Sequence, residues 1–139
     1  MISAIGIDYG TKRIGIAGCD AMGISARGID VVEERTPEKA ADRIAQIARE
    51  REATILVFGM PYNMDGSEGG RATDVRRFMD TLRERFPKLD VIPQDERLST
   101  KEAEELLRES GLSAEKRRKA RDSWSAVVIL QDWVRASGG

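Results

Sequence analysis

The chain has 139 residues, no histidine and one cysteine, and its 23 Lys+Arg against 24 Asp+Glu leave a formal charge of −1. That length suits one domain over 1–139 with its own core. The missing histidine excludes Ser-His-Asp and Cys-His catalysis, imidazole acid–base pairs and His-based zinc sites. Cys19 has no partner in the chain for a disulfide or thiolate cluster, and 40% apolar residues argue against a disordered chain.

Residues 2–8 and 13–19 read as two strands joined by the turn Tyr9-Gly10-Thr11-Lys12, a hairpin with a glycine at its tip. A third extended stretch covers about 24–32. Thr36-Pro37 then pairs an N-cap with a proline at the first helical position, and the apolar spacing predicts a helix up to about residue 52. The apolar run 54–58 predicts a strand buried on both faces, followed by a glycine-rich loop from Gly59 to Gly70.

A helix over 71–86 and a strand over 89–94 come next. Ser99 and Glu102 form a capping box for a helix ending at Gly111, and a last helix covers about 114–136. An antiparallel meander followed by βα units implies an α/β fold, a mixed sheet with helices on both faces. The N-terminus lacks the basic and long apolar regions of a secretion signal, and no apolar run is long enough for a membrane helix. A cytoplasmic setting without membrane contact is the expectation.

Without histidine, acid–base or metal chemistry must rest on carboxylates. Asp8 ends the first strand, where α/β sheets place their ligands. Its neighbours by period two are Ala4 and Gly6, and the second strand offers Gly15 and Ala17. Residues this small allow another element to come very near the sheet; the last helix is expected there, carrying Asp122 towards Asp8. Asp95 and Glu96 end the last strand, and at least one should reach the same crevice. Converging oxygen ligands suit Mg²⁺ or Mn²⁺, and two such ions can drive phosphodiester hydrolysis.

Four blocks together resemble the YqgF/RuvX family. Residues 6–17 (GIDYGTKRIGIA) look like its opening motif and 59–68 (GMPYNMDGSE) like its second. Residues 95–100 (DERLST) are similar to the third, and Asp122 through Gln131 to the fourth. The resemblance implies a ribonuclease H-like fold with a five-stranded mixed sheet, related to the RuvC Holliday-junction resolvases. It implies a metal-dependent nuclease, described either as a processor of the 5′ end of pre-16S rRNA or as a junction resolvase. The family's acidic residues carry over to Asp8, Glu96 and Asp122, with Asp95 as a further candidate ligand or supporting partner. Ser125-Ala126 stands where the family usually has two alanines, and Arg121 where it is commonly apolar. Neither departure removes a ligand.

The expected partner is nucleic acid, either RNA or branched or single-stranded DNA. Residues 111–121 carry Lys116, Arg117, Arg118, Lys119 and Arg121 against Glu115, a local +4 beside Asp122. Lys12 and Arg13 in the hairpin and Arg97 beside Glu96 are expected to add to that surface. Asn63 and the loop backbone are expected to meet a phosphate chain, since glycine permits close approach. Trp124 and Trp133 read as core rather than as stacking platforms, and Met60, Met64 and Met79 as packing residues.

Two other classes compete. Asp8-Tyr9-Gly10-Thr11 is similar to the first phosphate-binding element of actin-like and sugar-kinase ATPases, but those need two lobes and this length supplies one. A non-catalytic nucleic-acid-binding module in ribosome assembly is the second. The apolar stripes are narrow, which points to a monomer or a weak homodimer and favours RNA ends over junctions, whose cleavage normally needs a symmetric pair of sites.

Overall fold

The computed structural model describes residues 4–19, 26–34, 36–95, 111 and 113–136, with the side chains of 26 and 115–124 excepted. The elements follow the expected order. Strands β1 (Ala4–Tyr9), β2 (Ile14–Cys19) and β3 (Ala26–Val32) precede helix α1 (Pro37–Glu50). Strand β4 (Ile55–Met60), helix α2 (Gly70–Arg85), strand β5 (Asp90–Asp95) and helix α3 (Ala114–Ala136) complete the chain. The helix expected from Ser99 lies outside the described residues, except for its expected stop Gly111, which takes φ +74°.

One five-stranded sheet has the order β3-β2-β1-β4-β5. β2 pairs antiparallel with both β1 and β3, whereas β4 lies parallel to β1 and β5 parallel to β4. The ribonuclease H-like architecture expected from the sequence is therefore present. β1 is central, and its first four residues are buried on both faces.

Local chemistry accounts for the elements. The Thr36 hydroxyl accepts a hydrogen bond from the Lys39 backbone N–H at 3.3 Å, and Pro37 follows in the first turn of α1. Strand β4 runs two residues further than the apolar pattern suggested. Gly59 and Met60 pair with Gln94 and Asp95, and Met60 is fully buried, so tertiary pairing draws the start of the presumed loop into the sheet. Gly66 takes φ +88° within that loop, a left-handed conformation that glycine adopts without strain.

Side-chain alternation divides the sheet into two unlike faces. Ile5 and Ile7 of β1, Ile14 and Ile16 of β2, and Leu56, Phe58 and Met60 of β4 pack with α1 and α2 in the larger core. The opposite face carries Ala4, Ala17 and Val57, packed with Ala126, Val127, Ile129, Leu130 and Val134 of α3. Large side chains hold α1 and α2 away from the sheet; small ones admit α3. Met79 is buried as expected, but Met64 is 72% exposed, so packing does not explain it. Trp133 packs at the edge of the α3 core, while the Trp124 side chain lies outside the described residues.

Candidate functional site

Asp8 occupies the α3 face near the C-terminal end of β1, opposite Gly15 and two residues beyond Gly6. It is half-buried. The close approach expected of the last helix is found at Gly6. A Cβ there would stand 2.6 Å from the Ala126 carbonyl oxygen and 2.8 Å from the Leu130 Cβ. Ser125 and Ala126 are buried, so the serine in the fourth block preserves the small surface that this contact requires. Asp122 stands one helical turn before Ala126 on α3, and its side chain lies outside the described residues.

Strand register separates the other acidic residues. Gly6 pairs with Val57 on the α3 face, and one step further the parallel ladder sets Gln94 opposite Gly59 on that same face. Asp95 pairs with Met60, whose side chain belongs to the α1/α2 core, so Asp95 falls on the face opposite Asp8. β4 lies between their strands, which adds about 10 Å of lateral separation at ordinary strand spacing. Asp95 and Asp8 thus share a sheet end but not a face. Glu96 and Arg97 lie outside the described residues. Among the described residues no group of three acidic or cysteine side chains is placed to hold a metal ion.

The basic and polar candidates are spread more widely. Lys12 is exposed at the hairpin, where the Gly10 N–H donates to the Arg13 carbonyl at 2.9 Å and closes the turn. Arg13 pairs with Glu33 at 3.4 Å across the sheet edge. Asn63 organises its own loop. Its side-chain amide donates to the Ser67 hydroxyl at 3.0 Å, its N–H donates to the Ser67 carbonyl at 2.8 Å, and its carbonyl accepts from Gly66 at 2.8 Å. The side chains of Lys116, Arg117, Arg118, Lys119 and Arg121 lie outside the described residues.

Beyond these candidates, the structure shows a cleft of about 320 Å³ on the α1/α2 side of the β1 tip, lined among others by Tyr9, Thr11, Arg71, Asp74, Arg77 and Thr81. The Tyr9 ring stacks on Phe78 with centroids 4.4 Å apart. Burial pushes the Tyr9 phenol above its ordinary range; Asp74 adds to the rise and Arg71 opposes it. Residues 71–81 carried no site signal in the sequence, because their spacing reads only as an amphipathic helix.

The sheet order and the unlike faces define a ribonuclease H-like fold. Thermus thermophilus RuvC in complex with a Holliday junction substrate superposes with a TM-score of 0.58 at 14% identity, covering 98% of this chain and 95% of that one. The Fowlpox virus resolvase, bound to Holliday junction DNA, gives 0.57 at 11% identity over 99% of both chains. These likenesses establish the fold. The chain belongs to the RuvX family, described as "Holliday junction resolvase", whose profile matches residues 2–136. Relatives named "Putative pre-16S rRNA nuclease" agree. That of Synechococcus elongatus is 39% identical over 95% of this chain and 88% of its own length. Those of Endomicrobium trichonymphae and Myxococcus xanthus are each 42% identical, over 94% and 95% of this chain and 93% and 87% of their own lengths.

Proposed function

We propose that residues 1–139 act as one metal-dependent nuclease domain that hydrolyses phosphodiester bonds in processing the 5′ end of pre-16S rRNA. The observation that carries this reading is Asp8, half-buried at the tip of the central strand on the face that α3 approaches at van der Waals limits. The names of the RuvX relatives supply the substrate class.

Asp8, Glu96 and Asp122 are the proposed ligands of Mg²⁺ or Mn²⁺. A set of carboxylate oxygens without histidine or paired thiols suits those hard cations. Strand register counts against Asp95, which falls on the face opposite Asp8, and leaves Glu96 as the proposed ligand of the third block. When bound, a pair of such ions supplies Lewis acidity towards the phosphate and an acidified water. The protein's own part is to carry Asp8 on β1 and Asp122 on α3, two elements that meet closely at Gly6. The basic run Lys116–Arg121, with Lys12, Arg13 and Arg97, would attract the phosphate chain, and the 61–69 loop with Asn63 would border it. No described helix is long and apolar enough to cross a membrane.

The deciding experiment is cleavage of 5′-extended single-stranded RNA, duplex DNA and a four-way junction with Mg²⁺ or Mn²⁺, with Asp8→Asn as control. Preferential cleavage of RNA by the wild type alone is expected. No cleavage under any condition, or equal cleavage by the variant, would overturn the reading. Preference for the junction would support the second reading, resolution of four-way DNA, which the family's description favours.

Replacing Arg117 and Arg118 with glutamine should flatten the salt dependence of binding. Each phosphate contact to a single strand contributes about 0.7 to the slope of log affinity against log salt, so the pair should remove about 1.4. An unchanged slope in titrations across salt would return that run to an ordinary solvated face.

A further inference from the structure

We infer that the cleft behind the β1 tip is a subsite for one nucleotide of the substrate strand, next to the scissile bond, with Arg77 as its phosphate contact; this rests on the nuclease reading above. Three observations converge on it. The first is charge. Helix α2 carries five arginines, and four hold carboxylates: Arg71 with Asp74, Arg76 with Glu68, Arg83 with Asp80 and Arg85 with Asp42. Arg77 has no ion pair among the described residues, and it stands exposed on the cleft wall. An exposed guanidinium not held in an ion pair can take a phosphate with paired hydrogen bonds.

The second observation is how the remaining polar groups are fixed. Arg71 donates to the Tyr9 carbonyl at 2.6 Å and stands 3.9 Å from Asp74, so it is tied to the strand end and offsets the one acidic side chain that lines the cleft among the described residues. Two guanidiniums against one carboxylate leave a net positive charge, and the excess lies at Arg77. Thr11 and Thr81 add hydroxyls to the lining, and about 320 Å³ is room for a single nucleotide.

Position is the third. Tyr9 follows Asp8 directly, and strand alternation turns the two to opposite faces. Asp8 faces α3, while Tyr9 stacks on Phe78 of α2 and lines the cleft. A strand draped over this sheet end, with one phosphate at Asp8, therefore brings a neighbouring nucleotide to the cleft. Duplex nucleic acid is too stiff to fold over one strand tip, which selects an unpaired strand.

The test is binding of single-stranded RNA oligonucleotides in EDTA, followed by fluorescence anisotropy across a salt series. Arg77→Gln is compared with Arg49→Gln. Arg49 is likewise exposed and makes no ion pair among the described residues, but it lies twelve residues along α1 from the cleft residue Pro37, about 18 Å away. Arg77→Gln should bind about tenfold more weakly, as befits loss of one charged hydrogen-bonded contact, and its salt slope should fall by about 0.7. Arg49→Gln should match the wild type. Equal effects of the two variants, or none from Arg77→Gln, would overturn the subsite while leaving Asp8-dependent cleavage intact. An Arg77-specific loss of binding in a protein that never cleaves would instead keep the subsite and remove the nuclease reading.

Discussion

Alanine at Gly6 is expected to destabilise the fold by about 2 kcal/mol, the usual scale for forcing extra volume into a packed interior. The new methyl would meet the Ala126 carbonyl oxygen at 2.6 Å, the Leu130 Cβ at 2.8 Å and the Leu130 nitrogen at 3.3 Å. Two of these atoms are backbone, so no side-chain rotation relieves the clash. β1 is held by β2 on one side and β4 on the other, which leaves α3 as the element that must retreat. The thermal midpoint should drop by about 8 °C. Gly70→Ala is the matched control: a Cβ there meets nothing within 4 Å, and alanine at the start of α2 should be neutral or slightly stabilising. Urea titrations of the two variants decide the matter, and equal midpoints would show that α3 is not packed against Gly6. Cleavage by Gly6→Ala should fall as well, beyond what lost stability explains, because Asp122 rides on the displaced helix.

Asp8→Asn is expected to reduce cleavage about a thousandfold while leaving the fold intact. The substitution keeps shape and removes one negative oxygen from the proposed metal ligands. Losing transition-state charge stabilisation worth about 4 kcal/mol corresponds to three orders of magnitude in rate. Stability should hold, since asparagine keeps the size and shape of the half-buried side chain. Two measurements check this together: the thermal midpoint without metal, and Mn²⁺ binding by calorimetry. A variant that binds Mn²⁺ as well as the wild type and still cleaves would remove Asp8 from the site. A variant that unfolds would make Asp8 a structural residue instead.

Much of the architecture was legible from local pattern. The first strand with its small face of Ala4 and Gly6 before Asp8, the Thr36-Pro37 start and the apolar run at 54–58 each fix a segment by interactions within a few residues. The small-residue stripe even announced the close approach of α3, because a face without side-chain bulk has to be covered by something near. Residues that depend on distant partners were not legible in the same way. Gly59 and Met60 read as loop and became strand only through Gln94 and Asp95. Met64 read as packing and stands exposed. Arg77 looked like its neighbours on α2, two of which find partners at i±3 while two others reach Glu68 and Asp42 beyond the helix.

The sequence by itself determined the chemistry open to this protein: oxygen ligands in place of imidazole, small residues leading to Asp8, and the order of strands and helices. Tertiary structure alone decided that Asp95 and Asp8 lie on opposite faces. Alternation says which residues of a strand share a face, but only the register of β5 on β4 and of β4 on β1 says which face of β5 lies on Asp8's side. Register is a relation between segments far apart in the chain, set by the packing of two cores against one sheet. The same holds for the cleft at Tyr9, where a strand end and α2 meet across sixty-odd residues through the bond from Arg71 to the Tyr9 carbonyl.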